Sequence, residues 1–140
     1  MDAFDADVLI YAAVPGHPLG QRVRALFPSD PPTTSGTVAG IGSVLLIPEL
    51  LTKPMRDGAD AEVEALVALL GRLDLQPVNE ALAELATALG AAHGLRAADA
   101  VHLATAVAAG ADRFITNNSS DFSKTITEVD VTYPDELPEP

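Results

Sequence analysis

Short apolar or β-branched runs alternate along this chain with segments of helical spacing, and that alternation restricts the fold more than any other feature. Residues 2–6 (DAFDA), 37–43 (TVAGIGS), 75–78 (LQPV), 113–116 (RFIT) and 129–133 (VDVTY) read as strands. Between them Val63, Leu66, Val67 and Leu70 recur at helical spacing, and Leu82, Leu85, Ala86 and Leu89 repeat the pattern up to Gly94. A third such helix runs over residues 97–109, with Ala100, Leu103, Ala104 and Val107 inward and Gly110 as its stop. Strands joined through helices build a parallel sheet covered on both faces. The expected fold is therefore α/β: one three-layer α/β/α domain with a central, mostly parallel sheet over residues 1–134. An acidic, Pro-rich tail follows at 135–140.

Local chemistry sets further boundaries. Residues 8–14 (VLIYAAV) read as a short helix with Asp7 at the N-cap, ended by Pro15. Residues 20–27 form another, with Val23, Leu26 and Phe27 inward, and 28–36 (PSDPPTTSG) is a loop by composition. Ser43 is placed to cap a helix carrying LLIPELL. Pro48 either kinks that helix or begins it, and both versions leave Glu49 near its start. Residues 53–60 (KPMRDGAD) read as a break.

Apolar residues make up 48% of the 140, but aromatics only 4%, so the core is built from Leu, Val, Ile and Ala. Without cysteine there are no disulfides and no thiolate metal sites. No apolar run reaches bilayer length and no secretory signal pattern is present, so the expectation is a cytoplasmic protein with no membrane contact. A net charge of −12 repels polyanions over a Debye length of roughly 8 Å. Any chemistry on nucleic acid then needs cations or a local basic patch, and a basic protein partner is the other possibility that the charge suggests. The sequence contains neither a GK[ST] phosphate loop nor HExxH-like spacing among His17, His93 and His102.

In open parallel sheets the site lies at the carboxyl ends of the strands. Asp5 follows the first strand, Glu49 the second, and the NNSSDF loop follows RFIT. Asp99, in the first turn of its helix, serves at least the helix dipole, worth about 0.3–1 kcal/mol. Two ionised carboxylates about 4 Å apart repel by about 4 kcal/mol at an effective dielectric near 20, so a gathering of several calls for a counter-ion. Oxygen ligands without Cys or paired His point to Mg²⁺ or Mn²⁺ rather than Zn²⁺.

Two other phosphate chemistries use acids at strand ends. FDADVL resembles the opening motif of haloacid dehalogenase-like phosphatases, with Asp5 as nucleophile, and FITNN their second motif. Only 24 residues follow Thr116, with Lys124 but no later acidic pair, so order and length fail. A receiver-type phosphoacceptor would need adjacent acids after the first strand and a Lys-Pro near the end, and neither is present.

Nearly the whole chain resembles the PIN-domain ribonucleases, and more narrowly the VapC toxins of bacterial toxin–antitoxin pairs. The resemblance is carried by DADVLIYAAVPGHP, LLIPELL, the most specific stretch RAADAVHLATAVAAGADRFITNN, and the closing DF. It implies a PIN-like fold and a Mg²⁺- or Mn²⁺-dependent endoribonuclease that leaves 5′-phosphate and 3′-hydroxyl ends. It also implies a homodimer and a VapB-type antitoxin whose basic C-terminal segment enters the acidic cleft. Asp5, Glu49 and Asp99 would form the acidic, metal-holding core. Asp7 stands where relatives carry Asn or Ser, and would orient Asp5 or cap a helix. The fourth family acid is replaced by Asn118 in a loop one residue longer, leaving Asp121 as its substitute, or else a catalytically weakened module that mainly binds antitoxin or RNA.

Thr116, at a strand end beside the acids, is an accessory candidate, with a plain strand-end role as the alternative. His102 reads as a packed or neighbour-bonded histidine outside the catalytic set. Arg96 and Arg113 are expected to flank the site.

Overall fold

The computed structural model describes residues 1–28 and 38–140. Among these, strands β1 (Asp2–Phe4), β2 (Gly40–Ser43), β3 (Leu73–Gln76), β4 (Arg113–Ile115) and β5 (Asp130–Thr132) form one sheet in the order β3-β2-β1-β4-β5, all neighbours parallel. Helices α1 (Ala6–Ala13), α2 (Pro18–Arg24), α3 (Leu46–Arg56), α4 (Asp60–Leu70), α5 (Glu80–His93) and α6 (Ala97–Ala108) cover it. Side chains alternate across the strands, so Ala3 and Phe114 pack under α5 and α6 while Phe4 and Ile115 pack under α1 to α4. This is the expected α/β/α arrangement. β1 lies at the centre, with Ala3 paired to Ile41 on one side and Phe114 on the other.

Several local expectations need correction. Asp5, not Asp7, caps α1: its backbone is extended and its carboxylate accepts from the Ala6 N–H at 2.8 Å. Asp7 sits inside the first turn, because the strand ends at Phe4 and the helix starts sooner than the composition suggests. Ser43 accepts from the Leu45 N–H at 3.1 Å, a turn bond made before the helix begins at Leu46. Pro48 then falls in the first turn of α3, where its missing N–H would have no intrahelical partner anyway. The break expected over 53–60 comes late: α3 continues through a buried Pro54 and stops at Asp57–Gly58, where Gly58 takes a φ of +66°.

In α4 the buried residues are Leu66, Leu69 and Leu70, whereas Val67 is 49% exposed. α5 ends at Gly94 in the left-handed conformation, as its sequence requires. β3 starts two residues before the expected LQPV run. Except for Pro28, the loop read over 28–36 lies outside the described residues. The acidic tail is docked: Leu137 is buried in the core under α1 to α4, and Arg22 donates to the carbonyls of Asp135 and Leu137 and to Glu139. No helix among the described residues is long and apolar enough to cross a membrane.

Candidate active site

Each acid reaches the carboxyl edge of the sheet through a different element. Asp5 leaves the end of β1, its N–H still bonded to the Ile115 carbonyl at 3.0 Å, and it is only 6% exposed. Its two carboxylate oxygens are both held, one by the Ala6 N–H and the other by the Thr116 hydroxyl at 2.8 Å. Thr116, fully buried at the end of β4, also accepts from the Asn118 N–H at 3.1 Å. Of its two expected readings, the accessory one describes where the hydroxyl goes.

Glu49 arrives on the first turn of α3 and Asp99 on the first turn of α6. Burial raises the Asp99 carboxyl above its ordinary value, and the charges of Asp5, Asp121 and Glu49 raise it further. Burial likewise raises Asp5, against the pull of His102, the Thr116 hydroxyl and the Ala6 N–H. Asp7 is pushed up to about 7 by burial and by the Asp5 charge, although the Asn117 N–H donates to it at 3.1 Å. Its other oxygen is buried and unpartnered. Carboxyls from β1–α1, α3, α6 and the loop after β4 thus share one electrostatic environment, although the sequence places them up to 116 positions apart, from Asp5 to Asp121.

The NNSSDF loop, which carries the two candidates for a fourth site residue, turns back on itself. The Asn118 side-chain amide donates to the Asp121 carboxylate at 2.8 Å, while its oxygen accepts from the Asp121 N–H at 3.2 Å and the Ser120 hydroxyl at 2.9 Å. Asn118 occupies the position next to Thr116, and Asp121 supplies the charge felt at Asp99.

His102 is packed and bonded to a neighbour, as expected, and that neighbour is Glu49. Its Nε2 bonds the Glu49 carboxylate at 2.6 Å, and the ring is 2% exposed with Nδ1 unpartnered. Burial opposes its protonation, but the Glu49, Asp5 and Asp99 carboxylates outweigh that and raise its pKa. The available sequence clue was its i+3 spacing from Asp99.

Arg113 and Lys124 are committed to other partners. Arg113 begins β4, at the opposite end of the strand from Thr116, and pairs bidentately with Asp2 at 2.9 Å. That corrects its expected place beside the site. Lys124 bonds the Val131 carbonyl and Glu136. Arg96, exposed at the N-cap of α6, stays three residues from Asp99.

The all-oxygen donors suit a hard divalent cation, and burial and neighbouring negative charges raise Asp5 and Asp99, which a cation would offset. Among the described residues, no three His, Asp or Glu side chains stand close enough to enclose an ion as placed. As placed, Asp5 is tied to Thr116 and Glu49 to His102.

The fold is shared with solved toxin–antitoxin structures. A toxin–antitoxin complex from Klebsiella pneumoniae aligns with a TM-score of 0.74 and 22% identity, covering 96% of this chain and 98% of that one. VapBC2 from Rickettsia felis, bound to a DNA fragment from its promoter, aligns at 0.69 and 16%, covering 94% and 97%. FitAB bound to the IR36 DNA fragment aligns at 0.65 and 22%, covering 99% of each chain. No curated protein matches the chain in sequence. The family model of the PIN domain matches residues 3–126, which include every acid of the site, and the chain belongs to the PIN-domain family.

Proposed function

We propose that this protein is a Mg²⁺- or Mn²⁺-dependent endoribonuclease acting as the toxin of a toxin–antitoxin pair. The observation that carries the proposal is the convergence of four acids from separate elements: Asp5 is linked through Thr116 and Asn118 to Asp121, and His102 ties Glu49 to the helix that carries Asp99. Asp5, Asp99 and Glu49 would hold the cation, with Asp121 as the fourth acid and Asn118 fixing its carboxylate. When bound, the cation supplies charge stabilisation at the phosphoryl oxygens and activation of water, giving 5′-phosphate and 3′-hydroxyl products.

The chain's own residues do the positioning. Thr116 and the start of α1 hold Asp5, and His102 holds Glu49. Asp7, fixed by the Asn117 N–H, is raised by burial and by the Asp5 charge, which favours its neutral form beside an ionised Asp5. The phosphatase alternative suits this geometry poorly. Lys124, the one lysine after Thr116, is committed to Glu136 and the Val131 carbonyl.

The surplus of negative charge favours an antitoxin whose basic segment enters the acidic cleft, and the toxin–antitoxin assemblies that share the fold support such a partner. A homodimeric toxin working in the cytoplasm completes the reading. Asp99→Asn is expected to abolish Mn²⁺-dependent RNA cleavage while leaving the circular dichroism spectrum unchanged. Near-wild-type cleavage by that variant would overturn the proposal.

A further inference from the structure

A chain with a net charge of −12 gains little affinity for RNA from phosphate contacts, which depend on Lys and Arg. Three of its cations are already occupied: Arg113 by Asp2, Arg22 by the C-terminal tail and Lys124 by Glu136. Stacking on aromatic rings binds single-stranded RNA without a cation.

The aromatic inventory is short, with four Phe, two Tyr and no Trp. Phe4, Phe27, Phe114 and Phe122 are buried in the core. Tyr133 donates its hydroxyl to the Phe122 carbonyl and lies under the Lys124 ammonium. Tyr11 remains, and it is stacked on His17 with ring centroids 4.4 Å apart and planes 11° from parallel.

This pair is built into the fold and tied to the acids. A Cβ on Gly20 would fall 2.0 Å from the Tyr11 carbonyl oxygen, so only glycine lets α2 approach α1 closely enough to lay His17 over Tyr11. His17 Nδ1 accepts from the Gly20 N–H at 3.1 Å, which leaves the proton of the neutral ring on Nε2. Tyr11 lies one helical turn beyond Asp7. The Asn117 side-chain amide donates to the Tyr11 hydroxyl at 3.2 Å, and the Asn117 N–H donates to Asp7 at 3.1 Å. Both residues are half-buried.

We infer that Tyr11 and His17 form a stacking platform for a nucleobase of single-stranded RNA next to the scissile phosphate, an inference resting on the nuclease reading above. The platform lets an acidic protein hold its substrate beside an acidic site, because its contribution does not vary with salt as phosphate contacts do. The Nε2–H of His17 offers one donor at the platform's edge.

The test uses full-length protein, Mn²⁺ and a short synthetic RNA containing the cleaved bond, with each flanking base removed in turn. For wild type, loss of one base next to the cleaved bond should raise KM about 5- to 150-fold. His17→Ala should raise KM on intact RNA by a similar factor and lose sensitivity to that abasic position. His17→Phe, which keeps a flat ring but not the Nδ1 acceptor, should retain it. If His17→Ala stays as sensitive as wild type, or if His17→Phe behaves like His17→Ala, the platform is wrong and the helix-capping bond is what matters. Absence of cleavage by wild type would instead refute the nuclease reading. The platform is then decided by tyrosine emission from Tyr133→Phe, where Tyr11 is the sole tyrosine: quenching by a single-stranded oligonucleotide supports it, and unchanged emission overturns it.

Discussion

The Nε2 of His102 and the Oε1 of Glu49 meet at 2.6 Å, joining α6 to α3 across 53 positions of sequence. One partner is almost fully buried and the other is 36% exposed at its side chain, so the bond fixes one oxygen of a half-exposed acid. Groups bonded to a metal ligand typically change metal affinity by about 10- to 100-fold when removed. His102→Leu should therefore weaken Mn²⁺ binding by about that factor in calorimetry, and His102→Gln, which keeps a donor, should recover much of it. Equal Mn²⁺ affinity in wild type and a folded His102→Leu would remove His102 from the site's machinery.

Thr116→Val deletes the donor to a buried oxygen of Asp5 and also the acceptor for Asn118. A buried acceptor left unpaired costs about 1–3 kcal/mol, which chemical denaturation would detect. Loss of a hydrogen bond to the ionised form also moves the Asp5 pKa further upward, so the acidic limb of the cleavage profile should shift to higher pH. Thr116→Ser should restore both, and an unshifted profile in Thr116→Val would separate the hydroxyl from Asp5's function.

Asp7 sets a pH dependence of stability in the metal-free protein. Its folded pKa of about 7 exceeds the ordinary 3.8, so between these values the folded state binds more protons than the unfolded one. Stability therefore falls as pH rises through this window, and the destabilisation is complete above about pH 7. Asp7→Asn should flatten that slope and stabilise the protein at pH 8 by ~1–4 kcal/mol in denaturant melts. A slope unchanged in Asp7→Asn would assign the pH dependence to other groups.

Leu137 ties the acidic tail to the core with 2% of its surface exposed. Leu137→Ala should cost about 2–4 kcal/mol, in the range of other buried leucines. Arg22→Ala, losing bonds to the tail that are largely at the surface, should cost less. Thermal denaturation of both variants compares them, and a Leu137→Ala protein as stable as wild type would show the tail to be an appendage.

Periodicity and punctuation along the chain determined the layers: the runs at residues 2–6, 38–43 and 113–116 lie within or around strands, and Gly94 and Gly110 stop helices where glycine is needed. With a parallel sheet implied, the carboxyl ends of those strands also located Asp5, Glu49 and the NNSSDF loop at one edge. These are properties of neighbours in sequence, and local propensity carries them. The tertiary structure alone decided the partners of His102, Thr116 and Asp7, the occupation of Arg113 by Asp2, and the outward turn of Val67. Each of these depends on how far one element is rotated and shifted against another. That placement comes from the packing of whole faces, and no window of sequence short enough to show a period contains both sides of the contact.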